Sequence, residues 1–372
     1  MKDIKIVLGA NFGDEGKGLM TDYFSQSPDT IVVCSNGGVQ RGHTVETPDG
    51  IRHVFHHFGS GILNSKIERQ RAATYLSEDF IVNPIIFKQE YEELCSLGYK
   101  PETYIHKNCM VSTPYDMMAN QIIEENRGKN KHGSCGLGIY ETIKRYEAGV
   151  TDLNLSIRNY YLERFVKEDI ELSPKWAELF FNDDIYEHFW YDLDFMNLHS
   201  IDVRDDYFLN MFKHIIFENA QGLLLDQNNL EYFPNLTPSN TGITNPKKII
   251  ENTKWNEDIN IETCYVSRTY MTRHGAGKFT SECSKEQINL SMFDETNVPN
   301  PHQNTLRYGT LDLRELYKRC LSDIEDYGDV KSIAITHCNE YGIDQAELEK
   351  LFKGWRIYYS DGKTRDSVSA RC

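Results

Sequence analysis

The sequence predicts an α/β fold, with a large and mainly parallel central sheet flanked by helices. Short β-rich runs recur along the chain between helix-like stretches, and this alternation favours a parallel sheet. The runs are largely apolar, which is typical of strands buried on both faces. The runs are IKIVLG (4–9), TIVVCS (30–35), HIIFENA (214–220), TCYVSRTYM (263–271) and KSIAITH (331–337), and the clearest helix-like stretches are 84–98 and 313–328.

Each predicted strand ends at small or polar residues, or leads into an unusual loop. The first run ends at Gly9 before a glycine-rich segment, and the second ends at Ser35 before another one. The run that ends at Ala220 leads into a Gln-Gly pair. Ligands of parallel α/β sheets bind at the carboxyl ends of the strands, so we expect the functional site at these loops.

The chain of 372 residues is 40% hydrophobic, which is enough to build a sizeable core. No internal repeat or low-complexity linker divides it, so we expect a single domain over residues 1–372. Residues 151–213 are rich in acidic and aromatic side chains. We interpret them as a helical insertion packed on the sheet.

The composition excludes several classes of protein. A formal net charge of −16 argues against a nucleic-acid-coating protein, which would show a basic face. We expect no membrane span, because no run of 18 apolar residues occurs. The first residues lead directly into a strand pattern without a signal peptide, and the nine cysteines include no C-x-x-C pair. We therefore expect a cytoplasmic protein with free thiols.

The stretch LGANFGDEGKGLMTDYF, residues 8–24, has the features of a phosphate-binding loop. A P-loop requires G-x-x-x-x-G-K followed by Ser or Thr. Here Gly18 follows Lys17, and Asn11 stands where the first glycine should be. The segment still offers backbone N–H groups, a helix N-terminus and one ammonium group to a phosphate.

Two acids at the centre of this loop, Asp14 and Glu15, are unexpected beside an anionic ligand. A carboxylate next to phosphates can bind Mg²⁺ or act as a general base. The loop therefore predicts a site where a nucleotide is bound and also reacts. A second glycine-rich segment, NGGVQRGHTV (36–45), follows the next strand and should lie beside the first. Its His43 is a candidate acid.

These motifs resemble those of the adenylosuccinate synthetase family. The resemblance begins with GDEGKG (13–18) and NGG…GHTV (36–45), and it continues in the family's order over nearly the whole chain. GSCGLGI (133–139) is similar to G-T-T-G-(R/K)-G-I, and TRHGAGKFTSE (272–282) is similar to T-R-V-G-A-G-P-F-P-T-E. The remaining matches are FENAQGLLLD (217–226), TPSNT (237–241), LRYGTLDL (306–313) and SDGKTRD (360–366).

The resemblance implies a fold related to the P-loop NTPases and a carbon–nitrogen ligase. The family joins the amino group of L-aspartate to C6 of a 6-oxopurine nucleoside monophosphate, through a 6-phosphoryl intermediate made from a nucleoside triphosphate. By resemblance, Asp14 takes the N1 proton and touches Mg²⁺, whose shell the Gly42 carbonyl completes. His43 donates to O6 and to the transferring phosphoryl group, Lys17 holds the triphosphate, and Gln221 meets the base.

The resemblance also implies three sets of binding residues and a homodimer in which Arg145 acts in trans, in the partner's site. The triphosphate set is Gly13, Asp14, Glu15, Gly16, Lys17, Gly18, Gly42, His43, Thr44, Arg307, Asn339 and Gly362. The monophosphate set is Asp14, Asn36, Gly37, Gly38, Ser134, Cys135, Arg145, Gln221 and Thr237. The aspartate set is Gln303, Asn304, Thr305 and Arg307.

Departures from the family's motifs concern the substrates. The family reads guanine with the Asp of T-K-L-D, and the corresponding THCN segment here ends in Asn339. A carboxamide has one acceptor and one donor side, which suits adenine better, so we expect ATP or dATP rather than GTP. In the aspartate loop only Arg307 remains of an arginine run, and Thr305 stands where another arginine lies near the ribose. This change favours a deoxyribonucleotide.

These departures resemble the phage branch of the family, the 2-amino-deoxyadenylosuccinate synthetases, which act on dGMP on the way to diaminopurine DNA. A phage protein would work in the host cytoplasm. Many members of that branch have Ser in place of the loop Asp, whereas Asp14 is kept here. The alternative is a divergent enzyme that uses IMP and GTP.

A non-catalytic nucleotide switch is a remote alternative, since it would need Ser or Thr in place of Gly18 and an N-K-x-D base reader.

The histidines of RHVFHHFGSG, which are His53, His56 and His57, are interpreted as structural rather than zinc ligands.

Overall fold

The computed structural model describes residues 1–67, 70–131, 133–289 and 306–371. In chain order the strands are β1 (Lys2–Gly9), β2 (Thr30–Cys34), β3 (His43–Glu46), β4 (Arg52–Phe55), β5 (Ala73–Leu76), β6 (Ile81–Val82), β7 (Thr103–His106), β8 (Met110–Val111), β9 (Ile201–Val203), β10 (His214–Glu218), β11 (Ile259–Arg268), β12 (Met271–Arg273), β13 (Glu282–Cys283), β14 (Arg307–Gly309), β15 (Val330–Thr336), β16 (Arg356–Ser360) and β17 (Val368–Arg371). The α-helices are α1 (Lys17–Phe24), α2 (Pro84–Ser96), α3 (Pro114–Arg127), α4 (Ile139–Glu147), α5 (Ser156–Lys167), α6 (Pro174–Phe180), α7 (Asp183–Leu198), α8 (Thr244–Asn252), α9 (Lys285–Ile288), α10 (Leu313–Ile324) and α11 (Gln345–Leu351).

A ten-stranded sheet forms the centre, in the order β17-β16-β15-β11-β1-β10-β2-β5-β7-β9. Its neighbouring strands are parallel, except that β17 pairs antiparallel with β16 at one edge. Three small sheets, β12-β14-β13, β3-β4 and β6-β8, lie outside it. The predicted fold class is confirmed, since helices flank a large and mainly parallel sheet.

The central strand β1 is largely buried on both faces, as its mainly apolar run predicts. Ile4, Ile6 and Leu8 belong to one hydrophobic cluster, to which α10 contributes Leu316. Val7 belongs to a separate cluster on the other face, with Met20 of α1. Alternate residues of a strand point to opposite faces, so β1 ties both layers of helices to the sheet.

Helix boundaries follow local backbone chemistry. Asn83 caps α2 by accepting from the Ile86 N–H, and Pro84 occupies the first turn, where its missing N–H costs nothing. The second helix-like stretch, 313–328, is helical as α10 only to Ile324. Glu325 and Asp326 adopt left-handed backbone with φ of 43° and 63°, which ends the helix.

Residues 151–213 form α5, α6 and α7, followed by β9. Their apolar side chains, such as Tyr161 and Phe189, join Phe87 of α2 and Ile122 of α3 in one cluster. The segment is therefore mostly helical, but β9 pairs with β7 and extends the large sheet. That the segment is an insertion within a single domain over residues 1–372 stays a prediction.

Among the described residues, no helix has both the length and the apolar character needed to cross a membrane. Of the cysteines, eight are described, and each is a free thiol.

Candidate functional site

The site lies at the carboxyl edge of the central strands. The loop after β1 runs over residues 10–16 and enters α1 at Lys17, and Gly16 makes the turn with left-handed backbone. Because β1, β10, β11 and β15 are parallel, Glu218, Arg268 and Thr336 at their ends reach the same edge.

Glu15 is turned into the loop rather than towards a ligand. Its Oε1 accepts from the backbone N–H groups of Asn11 at 2.7 Å and Gly13 at 3.1 Å, and the Lys17 ammonium lies 3.3 Å from Oε2. Glu15 is 2% exposed and its own carbonyl accepts from Thr336 at 2.7 Å. This acid therefore holds the loop together from inside and balances the charge of Lys17.

Asp14 faces the opposite way and is partly exposed. Its backbone is left-handed, with φ of 60°, and its carbonyl accepts from Arg268 Nε at 2.5 Å. Its carboxylate Oδ2 lies 3.2 Å from His274 Nε2. Burial raises the pKa of Asp14, but His274, Arg268 and Lys17 together outweigh burial and lower it to about 2. The carboxylate is therefore ionised and available to a ligand.

His43 begins β3, and its Nδ1 lies 2.9 Å from Glu218 Oε1 at the end of β10. Burial lowers the pKa of His43 against the opposing influence of Glu218. Burial also raises the pKa of Glu218, but His43 and Arg41 outweigh it and lower this pKa to about 2. Because the Glu218 carboxylate lies next to Nδ1 of His43, the other ring nitrogen, Nε2, is available to contact a substrate.

The loops of Asp14 and His43 lie side by side, as predicted. A Cβ atom on Gly18, in the first turn of α1, would lie 2.8 Å from the Thr44 carbonyl oxygen. Only glycine lets α1 and β3 approach this closely. Gly42 is exposed just before His43.

Gln221 sits on a turn that packs against the first loop. Its φ is 63°, unusual for a residue other than glycine, and a Cβ atom on Gly222 would lie 2.3 Å from the Asn11 carbonyl oxygen. Asn36 is buried and is bonded to the backbone of Ala220, accepting from its N–H at 2.7 Å and donating to its carbonyl at 3.2 Å. The Asn36 side chain therefore positions Gln221 rather than facing a ligand.

The segment 133–138, predicted to hold the monophosphate, lies beside the loop after β12. Ser134 Oγ donates to Asn120 at 3.0 Å, and Cys135 is half-buried. A Cβ atom on Gly133 would lie 3.5 Å from the Ala276 nitrogen. The structure thus brings Ser134 and Cys135 near the loop that carries His274.

Arg145 does not fit its predicted role of reaching a partner subunit's site. It is fully buried, with Nε 2.8 Å from Asp116 Oδ1 and Nη2 2.9 Å from Asp116 Oδ2. The same guanidinium donates to the carbonyl oxygens of Val150 and Val111. It therefore ties α4 to the start of α3, and the sequence could not reveal this burial.

Arg307, predicted to bind the triphosphate and L-aspartate, makes its contacts with other parts of the chain, in β13 and in the loop after β12. It makes a two-pronged ion pair with Glu282, at 2.8 and 2.5 Å, and donates to the carbonyls of Gly275 and Gly277. The other predicted aspartate ligands, Gln303, Asn304 and Thr305, lie outside the described residues.

The remaining predicted residues lie at neighbouring turns. Asn339 is exposed in the turn after β15, where His337 has a φ of 59°. Gly362 follows β16, and Thr237 is half-buried and donates its N–H to the Leu225 carbonyl. In the described part of the chain, no hydrogen bond or ion pair joins any of these three residues to Asp14 or His43.

Three important neighbours were not singled out from the sequence: Glu218, Arg268 and His274. Glu218 and His274 lie within recognised motifs, and His274 stands where the family motif has Val. That substitution is a signal that the sequence did offer. The contacts of all three depend on the three-dimensional fold.

The residues at this edge fit a magnesium ion. No group of three or more His, Cys, Asp or Glu side chains able to hold a metal occurs in the part of the chain that is described. Mg²⁺ is, however, commonly bound by one or two carboxylates together with substrate phosphates. Asp14, an ionised carboxylate next to the Lys17 loop, can supply such a ligand, with the Gly42 carbonyl as a candidate second one.

A parallel sheet with a glycine-rich, lysine-bearing loop after its central strand defines an α/β nucleotide-binding protein. The sequence model of adenylosuccinate synthetase matches residues 6–341, and the chain belongs to the adenylosuccinate synthetase family.

Curated relatives agree with this assignment. The adenylosuccinate synthetase of Clostridium perfringens is 30% identical over 298 residues, which are 76% of this chain and 66% of that protein. The adenylosuccinate synthetase of Borrelia duttonii is 27% identical over 99% of this chain and 83% of that protein. This chain thus spans about two thirds of the first relative's length.

Two solved structures share the fold. Fully ligated adenylosuccinate synthetase from Plasmodium falciparum has a TM-score of 0.68 and 16% identity, and covers 99% of both chains. The succinoaminodeoxyadenylate synthetase PurZ of cyanophage S-2L, bound to dGMP and to dATP as an energy donor, has a TM-score of 0.67 and 17% identity. It covers 99% of this chain and 95% of the phage chain. The two scores are nearly equal, so the fold does not distinguish between the two activities.

Proposed function

We propose that this chain is a ligase that joins the amino group of L-aspartate to C6 of a 6-oxopurine nucleoside monophosphate, at the expense of a nucleoside triphosphate. The observation that carries this proposal is that the segments bearing Asp14 and His43 lie side by side at one sheet edge, next to Lys17. Membership of the adenylosuccinate synthetase family supports it.

The proposed roles follow from the contacts of each side chain. Asp14, an ionised carboxylate, accepts the N1 proton of the purine, which drives O6 onto the γ-phosphate. His43 donates from Nε2 to O6 and to the transferring phosphoryl group, while Glu218 stands against Nδ1. Negative charge of bound phosphates raises the pKa of the imidazole and favours its donating form. Aspartate then displaces the 6-phosphoryl group.

Lys17 and the amides of residues 13–18 hold the triphosphate, and Gln221 meets the base. When bound, Mg²⁺ supplies neutralisation of the phosphate charge. The monophosphate is bound by Ser134, Cys135 and Thr237. Arg307 binds L-aspartate together with Gln303, Asn304 and Thr305.

We propose dGMP as the monophosphate and ATP or dATP as the donor, giving 2-amino-2′-deoxyadenylosuccinate, ADP or dADP, and phosphate for diaminopurine DNA precursors. The choice of ATP or dATP rather than GTP rests on Asn339. It is exposed in the turn after β15, on the same edge as the Asp14 loop, and a carboxamide can pair with N6–H₂ and N1 of adenine. The ligands named for PurZ support the same choice, though only through a shared fold.

A second candidate is IMP with GTP, which would give adenylosuccinate. The observation that favours it is Asp14, because many members of the phage branch carry Ser at that position. The proposal also includes a homodimer in the cytoplasm, or in the host cytoplasm for a phage protein. Arg145 has no part in the proposed dimer, because its guanidinium is used inside the chain.

A substrate matrix tests the proposal. IMP, dIMP, GMP and dGMP are each combined with ATP, dATP or GTP and L-aspartate, and phosphate release is followed. We expect the highest kcat/KM for dGMP with ATP or dATP. Highest activity with IMP and GTP would establish the second candidate, and no aspartate-dependent release with any pair would overturn the ligase.

The donor assignment is tested by Asn339→Asp. A restored carboxylate accepts both guanine hydrogens, so we expect the ATP/GTP preference to shift towards GTP by roughly 5- to 150-fold, the value of about 1–3 kcal/mol for one good hydrogen-bonded pair. Asn154→Asp adds the same charge at an exposed position in another part of the chain and serves as the control. An unchanged ratio in Asn339→Asp would show that Asn339 does not read the donor base.

A further inference from the structure

We propose that His274 is a positioning residue that fixes the orientation of the Asp14 carboxylate, an assignment that rests on the proposed function. The imidazole Nε2 lies 3.2 Å from Asp14 Oδ2, within hydrogen-bonding distance. Both side chains are partly exposed, at 24% and 28%, so the pair lies at the open face of the site.

The segment 268–274 contacts Gly13 and Asp14 at three points. Arg268 Nε donates to the Asp14 carbonyl at 2.5 Å, and Thr272 Oγ1 donates to the Gly13 carbonyl at 3.4 Å. These two contacts fix the backbone. His274, a short distance further along the segment, adds the contact to the side chain.

The loop that carries His274 is fixed on both sides. The preceding residue, Arg273, is buried, with its guanidinium 4.5 Å from the centre of the Phe12 ring. Arg273 also donates to the Lys278 carbonyl at 2.5 Å. On the other side, Arg307 donates to the carbonyls of Gly275 and Gly277. These contacts fix the position of the loop, so the His274 imidazole is held where it can contact the Asp14 carboxylate.

A general base must present one oxygen to the proton that it removes, and small errors of placement are costly. Contact with His274 occupies Oδ2 and leaves Oδ1 as the oxygen for the purine N1–H. The family motif quoted above has Val at this position, which cannot donate a hydrogen bond. This chain thus carries a polar partner for Asp14 that the family motif lacks.

The alternative is that His274 only stabilises its loop. The two interpretations differ in what happens when Asp14 is already disabled. A positioning residue acts through the Asp14 carboxylate, so its removal should add nothing to the loss caused by Asp14→Asn. A residue that only stabilises the loop would lower activity in either background.

The test compares His274→Val, His274→Gln, Asp14→Asn and the double variant Asp14→Asn/His274→Val. With dGMP and ATP, we expect His274→Val to lower kcat at least about tenfold, with the KM for dGMP changed less than about threefold. His274→Gln, whose amide N–H can take the place of Nε2, should recover most of the loss. The double variant should match Asp14→Asn. Lys278→Gln, on the same loop but exposed and paired with Glu231, is the control and should behave as wild type.

Crystal structures of wild type and His274→Val test the orientation independently of turnover. We expect the Asp14 carboxylate to be rotated in His274→Val and restored in His274→Gln. The proposal is overturned by an unmoved carboxylate, by wild-type kcat in His274→Val, by no recovery in His274→Gln, or by an equal loss in the Asp14→Asn background. An inactive wild type in the full substrate matrix would instead overturn the proposed function, and the crystal structures would still decide the role of His274.

Discussion

Asp14 and Glu15 are neighbours in the chain, but their carboxylates face opposite ways and have different roles. Glu15 is buried, and its carboxylate accepts from two loop amides and pairs with Lys17. It therefore stabilises the loop from inside, in place of a bound anion. Asp14 is turned outwards by its left-handed backbone. Two adjacent acids can therefore share a phosphate-binding loop, because one of them belongs to its framework.

Asp14→Asn tests the base. The amide keeps the size of the side chain and tolerates left-handed backbone, so nucleotide binding should persist. Turnover should fall by roughly a hundredfold or more, the contribution expected of a general base. Phosphate-release kinetics and calorimetric nucleotide titration measure the two quantities. Asp29→Asn, at an exposed residue that also has a positive φ of 57°, is the matched control. Wild-type turnover in Asp14→Asn would remove Asp14 from the mechanism.

Residue types within local motifs could be predicted from the sequence, whereas their partners could not. Asp14, Lys17 and His43 lie in short glycine-rich segments whose chemistry is readable. The contact of His43 with Glu218 depends on the pairing of β10 between β1 and β2. Arg145 was assigned a role in trans by resemblance to the family's arginine after the phosphate loop. Its burial against Asp116 is a property of helix packing, which that resemblance could not reveal.

Element types could be predicted because the central strands of the large sheet are largely apolar on both faces and the helices have clear ends. The short elements were not, since β9 and β12 have three residues each and owe their existence to neighbours already in place. Local sequence gives such short strands too little signal. The same limit applies to the end of α10, where Glu325 and Asp326 leave the helix without a glycine.

The buried pair between α3 and α4 gives a stability prediction. Asp116 closes the capping box of α3 with Thr113 and pairs with Arg145. Arg145→Leu would leave Asp116 as an unpaired buried charge, so we expect a loss of about 3–5 kcal/mol in the free energy of unfolding. Arg158→Leu, which breaks a pair with the exposed Asp183, should cost less than about 1 kcal/mol. Urea unfolding measures both.

The same variant tests the trans role. If Arg145 only supports the fold, a co-refolded mixture of Arg145→Leu and Asp14→Asn should be no more active than the sum of its parents. Rescue in the mixture, together with wild-type stability of Arg145→Leu, would restore the trans arginine and contradict the burial argument.

The contact between α10 and β11 gives a pH prediction. Burial raises the pKa of Asp323 to about 6, despite hydrogen bonds from Tyr265 and the Ile243 N–H. The folded state then binds more protons than the unfolded state between about pH 4 and 6, so this group's contribution to stability falls as pH rises through that window. The stability of Asp323→Asn relative to wild type should therefore increase by about 2 kcal/mol between pH 4.5 and pH 7.

Urea unfolding at several pH values measures this difference. Asp152→Asn, which makes the same substitution at an exposed aspartate, is the control measured over the same range. A constant offset for Asp323→Asn as well would mean that its carboxyl group titrates normally in the folded protein.

The molecule as a whole is organised around β1, which pairs with β10 on one side and β11 on the other. The first strand made is thus central in the sheet, and both of its partners come from the second half of the chain. Parallel pairings over such separations close large loops and form slowly.

On the ribosome, therefore, β1 emerges with nothing to pair with. Its apolar residues stay exposed until β10 and β11 have been synthesised, which makes the nascent chain a client for chaperones. A chain that stops after residue 212 should aggregate, and one that stops after residue 329 should still lack Thr336, which holds the Glu15 carbonyl. Arrested nascent chains of increasing length, probed with labelled ATP, should capture nucleotide only once residues beyond 336 have left the exit tunnel. Capture by shorter chains would show that the loop after β1 folds without its long-range partners. If late capture is found, the nucleotide site is among the last parts of the protein to form, although its phosphate-binding loop is among the first parts to be translated.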